Sequence, residues 1–151
     1  MATRCVFCEI VAKTRTANIV YEDDEYMAFH DILPDAEYHL QLIPKTHVKN
    51  LGACTKEDIP MLRTIESIGK QVLTDILTKD NKTHLLGTFR FGFHAPANTS
   101  VDHLHCHCIA GERKWKTFIT HNKMFPWFIC LETAVLRLSR LAANQTYQQK
   151  H

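Results

Sequence analysis

His103, His105 and His107 stand two residues apart, with Leu104 and Cys106 between them and Cys108 after them. This spacing constrains the fold more than any other feature of the chain. On a β-strand successive side chains point to opposite faces, so residues two apart share a face, about 6.5–7 Å from one another. Residues 102–109 are therefore predicted as a strand. One face carries three imidazoles; the other, formed by Leu104, Cys106 and Cys108, enters a core. Histidine is the commonest metal ligand, and His-x-His on a strand can chelate one ion. An imidazole is also a nucleophile toward phosphorus or an acyl carbon when a neighbour handles protons. A half-buried strand turning polar groups to water is the plainest account, and it has to explain all three.

The remaining pattern is that of an α+β chain. Residues 5–12 read as a short N-terminal helix with apolar Val6, Phe7, Ile10 and Val11. Residues 18–22 and 25–30 read as two strands joined at Asp23-Asp24. Residues 37–43 alternate and stop before Pro44, as a strand should. The main helix falls at 59–78, where Leu62, Ile65, Val72, Leu73 and Leu77 recur at threes and fours. Asp58 suits its N-cap, with Pro60 in the first turn, better than a capping box opened by Thr55. Residues 84–93 read as a strand with Phe89, Phe91 and Phe93 on one face. The tail offers Phe125, Trp127 and Phe128, then a helix over 130–142. The expected architecture is an antiparallel sheet of about five strands with one long helix packed on a face.

Composition narrows the function classes. The 151 residues, 45% hydrophobic and 23% charged, suit one globular domain over 1–151. A net charge of +2 is too small for a nucleic-acid coat or a polybasic membrane anchor. No apolar stretch approaches the ~20 residues that span a bilayer, so no membrane partner is expected. The N-terminus has no apolar segment followed by a small-residue cleavage site. The expected location is the cytoplasm, with the nucleus a second. There the six cysteines are free thiols or metal ligands, and Asn98-Thr99-Ser100 is a chance sequon. Cys54, Cys106, Cys108 and Cys130 are read as buried or inert thiols. His94, which precedes a loop, and His84, His121 and His151, which lack companions, are read as structural.

His103-Leu-His-Cys-His-Cys-Ile109 resembles the alternation that names the histidine triad (HIT) superfamily of nucleotide hydrolases and transferases. Tyr21-Glu-Asp-Asp24, Ala28-Phe-His-Asp-Ile32, Pro34 and Ile43-Pro-Lys-Thr-His47 resemble, in the same order, the N-terminal half of its Hint branch. The resemblance covers residues 5–109 and leaves 110–151 as a C-terminal extension. Arg90-Phe-Gly-Phe-His94 and Trp127-Phe-Ile129 are similar to the histidine triad nucleotide-binding protein 3 group.

The resemblance implies the HIT fold, paired as a homodimer, and a purine nucleoside phosphoramidase (adenosine 5'-monophosphoramidase). The substrates it implies are AMP-amines and acyl-AMP. His105 would attack the α-phosphorus, forming a nucleotidyl-histidine intermediate that water resolves to AMP. The second ring nitrogen of His105 would donate to a backbone carbonyl such as that of His103. His107 would bond phosphate oxygens, Ser100 the phosphate or leaving group, and His103 would complete the triad. His47 matches a fourth family histidine. Asp31 matches the carboxylate that accepts both ribose hydroxyls, with Val6, Phe7, Phe29, His30 and Ile32 as walls of the purine pocket. No cofactor is implied for catalysis. Cys5-Val-Phe-Cys8 has the spacing of two zinc ligands; some members complete such a structural zinc site with residues matching His47 and His103. The chain departs from the Hint pattern at Gly92, where that branch has Asn, and at Ala97–Thr99, where it has glycines. That departure keeps two other readings open: a nucleotide- or zinc-binding interaction module with little activity, and a hydrolase of adenylated nucleic-acid ends. The low charge argues against the latter.

Overall fold

The computed structural model describes residues 5–113 and 128–148; Phe125, Trp127, His121 and His151 lie outside them. Along the chain come α1 (Val6–Val11), β1 (Ile19–Glu22), β2 (Tyr26–His30), β3 (Ala36–Pro44), α2 (Ile59–Lys79), β4 (Arg90–His94), β5 (Cys106–Arg113), β6 (Phe128–Cys130) and α3 (Leu131–Gln148). The strands form one antiparallel sheet in the order β1-β2-β3-β5-β4-β6. The α+β class holds, but the sheet has six strands rather than about five. The sixth, β6, spans three residues, too few to leave an alternating signal in the sequence.

Local chemistry sets the turns. The Asp23 carboxylate accepts from the Glu25 and Tyr26 backbone N–H groups at 2.8 and 2.6 Å, closing the β1–β2 hairpin as an Asx turn. The capping box passed over in the sequence is formed. Thr55 donates its N–H (2.8 Å) and its hydroxyl (3.1 Å) to Asp58 on a short 3₁₀ turn leading into α2. Asp58 is also the N-cap residue of α2 with Pro60 in the first turn, as expected, although its side chain makes no cap bond to that helix. Of the strand expected over 84–93, residues 84–88 belong instead to a 3₁₀ turn over Thr83–Thr88, and β4 opens only at Arg90. There Thr88 bonds back to the Leu85 carbonyl at 2.7 Å, curling the chain before the ladder starts. The β5 ladder starts at Cys106 and runs to Arg113 rather than ending at Ile109. Before it, the Leu104 N–H donates to the Val48 carbonyl at 2.6 Å instead of to a strand partner.

The two faces of the sheet differ. Leu40, Leu42, Phe91, Phe93, Cys106, Cys108 and Ile129 share one face and bury against α2 (Leu62, Ile65, Leu73, Leu77) and α3 (Leu131, Ala134, Leu138). The helix α2 approaches β5 closely at Gly69, where a Cβ would stand 2.9 Å from the Cys108 sulfur and 2.9 Å from the Phe91 ring. Cys54, Cys106 and Cys108 are buried, as expected, but Cys130 is exposed at the start of α3. The opposite face carries Met27, Phe29 and Ile43, covered by Phe7 and Ile10 of α1. The histidines share this second face.

Candidate active site

Strand register assembles the site. Phe29 pairs with Gln41, Gln41 with His107, His107 with Gly92 and Gly92 with Cys130, a row running across five strands on one face. His105, like His103, stands just before β5 rather than on the strand expected over 102–109, and its ring centroid lies 5.1 Å from that of His107. Phe7 of α1 packs edge-on to His105 at 5.3 Å and to Phe29 at 5.3 Å.

The ring nitrogens are assigned by partners that can play only one part. Nδ1 of His105 lies 2.6 Å from the His103 carbonyl oxygen. A carbonyl only accepts, so Nδ1 carries the proton and Nε2 keeps its lone pair. The Asp35 backbone N–H donates to His39 Nδ1 at 3.0 Å. His39 therefore bears its proton on Nε2 and donates it to His107 Nδ1 at 2.8 Å. His107 in turn is protonated on Nε2. The centre thus holds a nucleophilic nitrogen on His105 beside an N–H donor on His107, each fixed by a buried partner. His39 was not singled out in the sequence, and it is this residue that orients His107. His47, matched above to the fourth family histidine, instead lies 3.3 Å from the Cys8 sulfur and packs edge-on to His103 at 5.0 Å.

Asp31 sits against this chain of rings. Its Oδ1 accepts from the Leu33 N–H at 2.8 Å, while Oδ2 accepts from Gln41 at 2.8 Å and lies 3.3 Å from His39 Nε2. Of the expected purine walls, Phe7 and Phe29 are buried, Val6 and His30 half-buried, and Ile32 stands in solvent at 91% exposure.

The loop 95–102 divides two spaces. A cavity of ≈ 570 Å³ is lined by Cys5, Val6, His47, Lys49 and Thr99–Asp102, so Ser100 faces this side. A narrow cleft of about 10 Å³, the size of one water, reaches His105 between Asn50, Leu51, His94 and Thr99. His105 is only 4% exposed, and Thr99 lines both spaces.

His94, read above as structural, belongs to the site. It lies on β4 two residues from Gly92 and hence on the same face, its ring 4.3 Å from His107 and 6.2 Å from His105. Phe128 of β6 pairs with His94 and packs within 6.4 Å of it and 6.2 Å of His107. The Phe128 ring occupies the space a side chain at Gly92 would need: a Cβ there would lie 2.6 Å from its Cε1 and 2.7 Å from the Ile129 carbonyl oxygen.

Beside the catalytic row, Cys5, Cys8, His47 and His103 bring four ligand atoms together. His103 Nε2 donates to the Pro44 carbonyl at 2.8 Å, leaving Nδ1 to face the sulfurs of Cys5 (3.4 Å) and Cys8 (3.6 Å). Zn–S and Zn–N bonds of about 2.3 and 2.0–2.1 Å at tetrahedral angles require S···N edges of about 3.6 Å. The donor set fits a tetrahedral ion, with the Pro44 carbonyl as the outer support that metal-bound histidines use. Burial, followed by the bond to Cys5, pushes the Cys8 thiol up to about 11 without a cation. Burial also holds His103 below the ordinary imidazole value, keeping it neutral and able to ligate.

The profile of the family described as "Scavenger mRNA decapping enzyme C-term binding" matches residues 4–121. The Arabidopsis thaliana protein named bifunctional adenosine 5'-phosphosulfate phosphorylase/adenylylsulfatase HINT4 is 40% identical over 93% of this chain and 94% of its own. Adenosine 5'-monophosphoramidase HINT3 of Xenopus tropicalis is 36% identical over 70% of this chain and 67% of its own. A HIT family hydrolase from Clostridium thermocellum superposes with a TM-score of 0.63 at 28% identity, covering 74% of this chain and 94% of that one. With this breadth of likeness, the chain belongs to the histidine triad superfamily of nucleotide hydrolases.

Proposed function

We propose that the chain is a purine nucleoside phosphoramidase that cleaves AMP-amines, and acyl-AMP as well, by covalent catalysis at His105. The observation that carries this reading is the tautomer of His105: its Nδ1–H is tied to the His103 carbonyl at 2.6 Å, which leaves Nε2 as the nucleophile. The Nε2 lone pair forms a bond to the α-phosphorus, and the bond from phosphorus to the amine breaks, its electron pair leaving with the nitrogen. Water then attacks the same phosphorus, the P–Nε2 bond returns its pair to the ring, and AMP is released. His107, held by His39, donates Nε2–H to a phosphoryl oxygen as charge builds there. Asp31 offers its remaining lone pairs to the ribose hydroxyls, with Phe7 and Phe29 under the base. The HINT3 relatives support this choice of substrate.

A second reading keeps the nucleophile and changes the leaving group. The 40% identical relative is named for adenosine 5'-phosphosulfate, a mixed anhydride whose sulfate departs without a proton. Assay of AMP-lysine and adenosine 5'-phosphosulfate side by side ranks the two. In both, His105→Asn is expected to lose about 10³-fold or more in kcat, the scale of removing a nucleophile that acts within a unit. Rapid quenching of the wild type should leave a nucleotide on the peptide containing His105; unchanged turnover in the variant refutes the mechanism.

The proposal includes a structural zinc on Cys5, Cys8, His47 and His103. Its role is to tie α1, which carries Phe7, to the triad segment. It also includes the homodimer. Since β6 already covers the outer edge of β4, a sheet shared through that edge would first have to displace β6, and light scattering on the full chain reads the mass directly.

A further inference from the structure

We infer that His94, seated by Phe128 of the C-terminal extension, delivers the proton to the departing amine; this rests on the covalent reading of His105 proposed above. Four observations carry it. The first is position. A ring nitrogen of His94 lies within 4.8 Å of nitrogens on both His105 and His107, and its ring stands nearly perpendicular to that of His105 at 6.2 Å. A phosphoryl group held between these rings has His105 Nε2 behind it, and His94 can reach past the phosphorus to the leaving atom.

The second is division of labour. The Asp35–His39 chain fixes the His107 proton on Nε2, and the mechanism proposed above spends that proton on a phosphoryl oxygen. The third is the place of Ser100, which by resemblance would bind the phosphate or the leaving group. It lines the broad cavity with Cys5, His47 and Lys49, whereas the cleft at His105 is lined by His94 and Thr99. The fourth is construction. Gly92 has no side chain, Phe128 fills that space, and the rings of Phe128, His105 and His107 pack against His94. The extension therefore builds one wall of the catalytic centre.

The chemistry balances. As His105 Nε2 bonds to phosphorus, the P–N bond to the amine breaks and its pair takes a proton from the His94 imidazolium. In the second half, neutral His94 takes a proton from the attacking water as the P–Nε2 bond breaks. The cycle consumes one water and yields AMP and an amine. Sulfate leaving from adenosine 5'-phosphosulfate needs no such proton in the first half.

The test compares leaving groups in full-length wild type, His94→Asn, His94→Gln and His105→Asn, with melting temperatures measured alongside. A lost general acid typically costs about 10²–10⁴-fold. Single-turnover nucleotidylation of His105 by AMP-lysine should fall by about 10²-fold or more in both His94 variants. Nucleotidylation by adenosine 5'-phosphosulfate should fall by less than about tenfold. Added imidazole should restore part of the loss with AMP-lysine. Equal losses with both substrates, or none with either, overturn the inference while His105→Asn remains inactive. Survival of turnover in His105→Asn overturns the underlying reading instead.

Discussion

Replacing Gly92 by alanine tests whether the C-terminal strand is part of the catalytic centre. A Cβ at this position would stand 2.6 Å from Phe128 Cε1 and 2.7 Å from the Ile129 carbonyl oxygen. The ring could swing aside, but the carbonyl is backbone. Normal carbon–oxygen contact requires about half an ångström more, so β6 must slide along β4 or lift from it. Overpacking of this kind costs about 1–3 kcal/mol. Removing a strand glycine returns roughly 0.5–1 kcal/mol by limiting the unfolded chain. The net expectation is a loss of about 1–2 kcal/mol. For a chain of this size each kcal/mol moves Tm by about 2–4 °C, so Tm should drop by roughly 2–8 °C.

Gly87→Ala is the matched control, because a Cβ there meets nothing within 4 Å. It should leave Tm unchanged or slightly raised. Because Phe128 packs on both His94 and His107, Gly92→Ala should also lower kcat on AMP-lysine, while Gly87→Ala should not. Differential scanning calorimetry and a coupled AMP-release assay on the same preparations read both effects. A Gly92→Ala protein as stable and as active as Gly87→Ala would mean that β6 does not press on Gly92, and the wall attributed to the extension would be wrong.

Two further outcomes follow from the assigned ring nitrogens and the sulfur pair. His39→Leu removes the acceptor of the buried Asp35 N–H, costing about 1–3 kcal/mol in denaturant unfolding. It also frees the His107 tautomer, so kcat should fall by about tenfold or more with KM little moved; an unaltered kcat would dismiss the relay. Purified protein should carry about one zinc per chain by elemental analysis. Cys8→Ser should lose the metal and melt at lower temperature, and wild-type protein without zinc whose cysteines alkylate freely would remove the site.

The parts of this molecule that could be read from sequence are those where a local period meets a local partner. The alternation 103-105-107 announced a polar face and the apolar spacing over 59–78 announced α2, because each signal is local in the chain, although only His107 of the three lies on β5. Cys5 and Cys8 pair through one turn of α1, and the family likeness added His47 and His103, which the fold brings beside them. His39 escaped notice although it alternates with Gln41 on a strand whose other residues, Leu40 and Leu42, are apolar. Its parity marks it as facing the same side as Gln41, but only the β3–β5 register, Gln41 against His107, shows that this side is the triad's.

His94 was hidden for a related reason, and more deeply. Its role depends on β6, which lies more than thirty residues downstream and pairs through three residues. The trace in the sequence was Gly92, read as the loss of an asparagine. In the folded chain that missing side chain is a vacated volume, filled from the far end of the molecule by Phe128 and edged by a fourth imidazole. Gly92 and Phe128 are therefore two halves of one packing arrangement, which becomes visible only once strand order places residues 92 and 128 on the same face. The leaving-group experiment on His94 decides whether that arrangement also bears on the chemistry. In a chain without a proton donor at residue 94, His94→Asn would leave the ratio of amine to sulfate rates unchanged. With His94 as the donor, the wild type narrows the intrinsic advantage of sulfate over amines, and His94→Asn should restore that advantage by about tenfold or more.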